Sequence, residues 1–160
     1  MKNNLSVGDR LYRSKLFVEH TGIYLGDRRV LHNSPDENVE ICALEEYAVG
    51  KPVKVVFSRL SEEKQSELLS HAEQLIIKEN KYGVLGNNCE HLASKMLYGK
   101  PSSEQLQGAA VGAIAGLLLA QCSQSKNTSL YMAAGGLIGC LLVNATRNYD
   151  STLKPENHYQ

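Results

Sequence analysis

Residues 16–32 read LFVEHTGIYLGDRRVLH, and this stretch decides the fold. Phe17, Val18, Thr21, Ile23 and Tyr24 are strand formers, the run breaks at Gly26–Arg29, and Val30, Leu31 and His32 resume it. β-Branched and aromatic side chains suit a half-buried pleated surface, and a short break containing Gly and Asp turns such a strand back on itself. The stretch is therefore a β-hairpin with a histidine on each arm. Whether His20 and His32 share a face depends on the loop, because side chains alternate along a strand. A three-residue loop centred on Gly26 sets the two imidazoles directly opposite, and one centred on Asp27 sets them diagonally. A two-residue turn sends them to opposite faces.

On either side of the hairpin the elements alternate in type. VGDRLYR (7–13) reads as a short strand entered by a turn, and NSPDEN (33–38) as a loop. VEICALEEYAVG (39–50) fits a strand start followed by a short helix, and KPVKVVFS (51–58) a strand with its proline at the tolerated first positions. A helix begins at Ser61, with Glu62 and Glu63 favouring its first turn, and Leu68, Leu69, Ala72, Leu75 and Ile76 carry its apolar face to about Glu79. NKYGVLGNN (80–88) is loop by composition. A second helix runs from about Cys89 to Tyr98, with Asn88 as N-cap, Gly99 just past its end and Pro101 beyond. Strands and helices in this mixture define an α+β domain.

Cys89 lies in NNCEH (87–91), with polar neighbours on both sides. Free cysteines usually pack as small hydrophobes, and this one does not look like that. At a helix start the unsatisfied N–H groups and the helix dipole favour a thiolate, and the same N–H groups can receive an oxyanion. A thiol nucleophile also needs a proton acceptor, most often histidine. His91 is two positions away and on a helix points elsewhere, so it can buttress the site at most. The hairpin histidines are the better candidates: one to take the thiol proton, the other to orient it. His71 and His158 stand in polar surroundings and are expected to face solvent, and Glu90 favours the helix start electrostatically.

The chain has 160 residues, with 17 basic and 17 acidic side chains, so its net charge gives no reason to expect a nucleic-acid partner. The N-terminal MKNNLSVGDRLYR has no apolar core of an export signal. None of the four cysteines is paired at C-x-x-C spacing, and a reducing compartment with free thiols is the expectation. Cys42, Cys122 and Cys140 read as packing residues, buried or facing lipid.

From Gln105 to Thr146 the only charge is Lys126, which marks a boundary near residue 105. LQGAAVGAIAGLLLAQC (106–122) and SLYMAAGGLIGCLLVNA (129–145) are uncharged, with strictly apolar cores of 13 and 14 residues. Such lengths more often mean a buried helix, and the flanks bring them to the border of a membrane span. Gly108, Gly112 and Gly116, then Gly135 and Gly139, form small-x-x-x-small stripes that let helices approach closely in lipid, whereas glycine weakens helices in water. A membrane-embedded hairpin joined by SQSKNT (123–128) is the favoured reading; a soluble hairpin packed on the domain is the alternative. Lys95, Lys100, Arg147 and Lys154 on one side, against Lys126 on the other, put the first domain on the cytoplasmic side.

GDRLYR, HTGIYLGDRRVLHNSP and NNCEHLASKMLYG, in that order, resemble the lecithin retinol acyltransferase family over about residues 5–105. The resemblance implies an antiparallel sheet packed on helices, in a papain-like fold permuted so that histidine precedes cysteine. It implies Cys89 as nucleophile, His20 as general base and His32 as the third, orienting residue. It also implies acyl transfer or hydrolysis on a glycerophospholipid or similar lipid ester through a thioester, with no cofactor or metal. Leu92 stands where the family commonly has Phe, and the span from His32 to Cys89 is shorter than the family leads one to expect, so a strand or substrate loop is trimmed. The resulting division is a catalytic domain over 1–105, an apolar helical hairpin anchor over 106–145 and a polar tail over 146–160. Two other classes fit the residues: a thiol amidase or peptidase, since fold does not settle substrate, and a membrane-tethered interaction or remodelling module without catalysis.

Overall fold

A computed structural model describes residues 5–15, 18–34, 39–82 and 89–154. Asn88, expected as an N-cap, and His158 lie outside the described residues. The chain divides into two compact units, one holding residues up to 14, 20–102 and 149 onward, the other 15–19 and 103–148.

The first unit is built on an antiparallel sheet. Its strands are β1 (Arg10–Lys15), β2 (Val18–Tyr24), β3 (Arg29–Asn33), β4 (Val39–Ala43), β5 (Val53–Val56) and β6 (Ser151–Leu153), in the spatial order β4-β3-β2-β1-β5-β6. The helices are α1 (Leu44–Ala48), α2 (Glu62–Tyr82) and α3 (Cys89–Tyr98). The mixed α+β reading holds. The helix expected to stop near Glu79 runs on to Tyr82, and Ser61 begins it by accepting from the N–H groups of Lys64 through its side chain and Gln65 through its backbone. Gly99, at φ +71°, ends α3 in the left-handed conformation that favours glycine.

The hairpin loop is centred on Asp27. Gly22 pairs with His32, Ile23 with Leu31 and Tyr24 with Val30, and Leu25 N–H donates to the Arg29 carbonyl at 2.9 Å. His20 and His32 are thus diagonal neighbours on one face, the second of the three arrangements the sequence left open. Gly26, Asp27 and Arg28 all take positive φ to close the loop.

Strand alternation splits the core in two. One face carries Ile23, Leu25, Leu31 and Val39, which pack with Leu68 and Ala72 of α2 and Leu92 and Ala93 of α3. The opposite face carries Leu11, Val30, Cys42, Val53 and Val55 and receives Tyr47 and Ala48 of α1. Each such large apolar side chain, fully buried, contributes about 1.5–3 kcal/mol, which is why both faces need a cover.

The segment after residue 146 does more than its polar composition suggested. Ser151–Leu153 adds a strand beside β5, Asp150 accepts the Phe57 N–H at 2.8 Å, and Tyr149 lies edge-on to Tyr12 with the Lys54 ammonium over its ring.

The second unit is dominated by α4 (Glu104–Cys122) and α5 (Thr128–Thr146). Ser103 caps α4 by accepting the Leu106 N–H at 3.1 Å. The two glycine stripes face each other. A Cβ on Gly112 would lie 2.8 Å from the Gly135 carbonyl carbon, and one on Gly108 would lie 2.7 Å from the Gly139 carbonyl oxygen. Backbone therefore packs on backbone, at a distance that no side chain tolerates. Both helices are long and apolar enough to cross a membrane by length and composition, and little of either is buried. At the open end of the hairpin Arg147 bridges the carboxylates of Glu104 (2.8 Å) and Glu19 (3.2 Å). There too the Gln105 amide accepts from the backbone N–H of Glu19 and donates to its carbonyl, both at 3.1 Å.

Candidate active site

The site forms where β2 begins and β3 ends. The sheet register presents His20 and His32 on one face, and the first residue of α3 presents Cys89. The Cys89 Sγ lies 3.1 Å from His20 Nδ1 and 3.5 Å from the Asn33 carbonyl oxygen. His20 Nε2 lies 3.1 Å from His32 Nδ1. The three residues singled out by sequence are thus brought into one line of contacts, across 69 residues of chain between His20 and Cys89.

The line continues past them. His32 Nε2 lies 3.1 Å from the Cys42 Sγ and 3.4 Å from a carboxylate oxygen of Glu40. Register explains both contacts: His32 pairs directly with Glu40 on β4, and Cys42 is two residues along on the same face. On its other side His32 pairs with Gly22, which has no side chain to offer.

Tyr47 occupies that vacancy. A Cβ on Gly22 would lie 2.9 Å from the Tyr47 ring, so glycine there makes room for it. The ring stacks on His20 at 5.6 Å and 29° and meets His32 edge-on at 5.4 Å. Its hydroxyl hydrogen is shared between the carbonyls of His20 (2.7 Å) and Leu11 (3.0 Å), and Arg13 lies over the ring at 5.4 Å. Tyr47 thereby fixes both the backbone and the ring plane of His20. Sequence reasoning missed it, because its position in a short helix carries no periodic signal.

Burial sets the protonation states. Loss of solvent holds His32 below its ordinary value of 6.5, only partly offset by its backbone hydrogen bond at Asn33 and by Glu40, so the ring is neutral at pH 7. Burial, with Glu46 and Glu40 adding, pushes the Cys42 thiol up to about 11 and keeps it protonated. Burial likewise raises Tyr47 well above the usual phenol value. Cys42 is buried as expected, yet it touches the site; Cys122 is exposed and Cys140 buried within the hairpin unit. His71 is exposed and His91 half-buried, and neither is among the contacts that link Cys89, His20 and His32. Among the described residues no cluster of His, Cys, Asp and Glu has the arrangement of a metal site.

Fold and side chains together define an α+β protein with a helix-start thiol against a sheet-borne pair of imidazoles. The chain belongs to the lecithin retinol acyltransferase family, whose model matches residues 3–102. It is similar to phospholipase A and acyltransferase 2 of Homo sapiens, at 28% identity over 88% of this chain and 93% of that protein. It is 31% identical to phospholipase A and acyltransferase 3 of Mus musculus, over 84% of this chain and 89% of the other. Lecithin retinol acyltransferase of Homo sapiens is 26% identical over 61% of this chain and 56% of its own length.

Proposed function

We propose that the protein is a thiol-dependent acyltransferase or phospholipase that acts on glycerophospholipids or related lipid esters through a thioester on Cys89. The observation that carries this reading is the 3.1 Å contact between the Cys89 sulfur and His20 Nδ1. Family membership supports acyl chemistry on lipids in general, and the names of the relatives point to phospholipids.

In this reading His20 takes the thiol proton on Nδ1 and the sulfur attacks the ester carbonyl. The oxyanion is received by N–H groups at the start of α3. His20 then returns the proton to the leaving lysophospholipid oxygen, leaving the acyl group on sulfur. Water, or an acceptor alcohol or amine, releases the acyl group in a second step with the proton moving the opposite way. His32 holds the His20 ring in place as the third member of the set. The order of histidine before cysteine fits a permuted papain-like fold. The two apolar helices serve as the membrane anchor, and the excess of lysines near the first unit puts that unit on the cytoplasmic side.

The test is intact-mass analysis of the full chain after incubation with mixed phospholipids. An adduct with the mass of one fatty acid less water, lost in Cys89→Ala, is the expected result. No adduct, or an adduct undiminished in Cys89→Ala, rejects the reading. Bilayer permeabilisation retained in full by Cys89→Ala and His20→Ala, with no adduct in the wild type, would leave a membrane-perturbing module instead.

A further inference from the structure

We infer that Glu40 is a positioning residue: its carboxylate fixes the proton of His32 on Nε2, and through that contact leaves His20 Nδ1 free to receive the Cys89 proton. The inference rests on the thiol reading above and extends the site to a strand that reading does not use.

A neutral imidazole carries one N–H, and which nitrogen bears it is decided by its partners. For His20 to accept the thiol proton, Nδ1 must hold a lone pair, so its own hydrogen sits on Nε2. That N–H meets His32 Nδ1 at 3.1 Å and must find a lone pair there. The hydrogen of His32 is then confined to Nε2. Only one of the two tautomers of His32 is therefore compatible with a working base.

Among the described residues two groups face that Nε2. The Cys42 sulfur, at 3.1 Å, is a protonated thiol and can either donate or accept, so by itself it leaves the tautomer undecided. The Glu40 carboxylate, at 3.4 Å, is an acceptor only. Beside it a hydrogen on Nε2 is favoured and a lone pair is disfavoured, and the thiol is turned into an acceptor. Among the described residues the remaining groups around the ring are the Asn33 backbone on β3, Arg13 from β1, His20 from β2 and Glu46 and Tyr47 from α1. Arg13 and Glu46 act on the charge of the ring and oppose each other. His20 reads the tautomer and Tyr47 meets the ring edge-on, so neither sets it. Of the side chains around the ring, Glu40 is the one that biases the hydrogen toward Nε2.

The placement follows from register. Glu40 pairs directly with His32 across β3 and β4, so the carboxylate is held by the sheet itself. Its side chain is 49% exposed while the imidazole is 8% exposed, so a change at residue 40 leaves the packing of the core untouched.

The tautomer is read directly by long-range ¹⁵N–¹H correlation of the histidine rings in the full chain, at a pH above 6.5, alongside the rate of Cys89 alkylation by iodoacetamide. The wild type should show His32 as the Nε2–H form. In Glu40→Gln, whose amide can donate as well as accept, the Nδ1–H form should appear, and alkylation should slow by about tenfold, the factor for one pKa unit of lost bias. A His32 already in the Nδ1–H form in the wild type overturns the inference. So does Glu40→Gln with tautomer and rate unchanged. His20→Ala run in parallel separates the two levels. If it slows alkylation while Glu40→Gln does not, the thiol–imidazole reading stands and the role of Glu40 falls. If His20→Ala changes nothing, both fall together.

Discussion

The two units of this chain invert each other's chemistry. In the first, the large apolar side chains are inside, and the polar groups at the site form a continuous line from half-buried Cys89 through buried His20, His32 and Cys42 to exposed Glu40. In the second, the apolar side chains are outside: Val111, Leu119, Leu130, Ile138 and Leu142 are each more than half exposed, and backbone packs on backbone between them. The first pattern is what water imposes. The second suits lipid, where apolar side chains lose nothing by facing outward and close packing drives helix association. Glycine serves both. Gly22 gives up a side chain so that the Tyr47 ring can brace the histidines, and Gly112 and Gly135 give theirs up so that two helices can touch.

That contrast can be broken at either end, and the expected effects differ in size. The largest should come from His20→Ala. Loss of the proposed general base should lower phospholipid cleavage about 10²–10⁴-fold, read as lysophospholipid release, with the helicity of the hairpin unchanged. A comparable loss in both properties would mean that the units are not separable. Next comes Gly112→Ile, which drives a side chain into the Gly135 backbone. Overpacking of this kind costs about 1–3 kcal/mol, so hairpin helicity in micelles should yield at lower denaturant while iodoacetamide still labels Cys89 at the wild-type rate. Unaltered hairpin stability would show that the glycine contact is incidental.

Tyr47→Phe sharpens the first half of the contrast. It removes the hydroxyl from two buried carbonyls, those of His20 and Leu11, and should cost about 1–3 kcal/mol in urea unfolding. Because the ring remains stacked on His20, the activity should fall by less than in His20→Ala. The smallest effect should be the pH dependence set by His32. Burial lowers its pKa, so below 6.5 the unfolded chain binds more protons than the native one, and native stability declines as pH falls through that window. In His32→Gln this part of the decline should vanish, which thermal unfolding of wild type and variant across the acid range would reveal. An equal decline in both would place the sensitivity elsewhere.

Much of this was legible without coordinates, for reasons that are local. Strand formers interrupted by GDRR define a hairpin, apolar spacing after Ser61 defines a helix, and the absence of charge over 105–146 apart from Lys126 sets the C-terminal segment apart. Cys89 drew notice as a polar-flanked cysteine at a helix start and the hairpin histidines as its candidate partners, and resemblance to the family's motifs singled the three out. The composition also read Cys42 as packing and 146–160 as a polar tail, and both do more: one touches His32 and the other supplies β6.

What the sequence by itself determined is therefore most of the elements, because propensity, periodicity and capping act over a few residues at a time; the three candidate site residues it named through resemblance to a family's motifs. Only the tertiary structure decided which loop register puts His20 diagonal to His32, which strand backs His32 with Glu40 and Cys42, and which ring fills the space above Gly22. Those relations depend on hydrogen-bond register and on contacts between residues far apart in the chain, and no local property of a residue encodes its neighbour across a sheet.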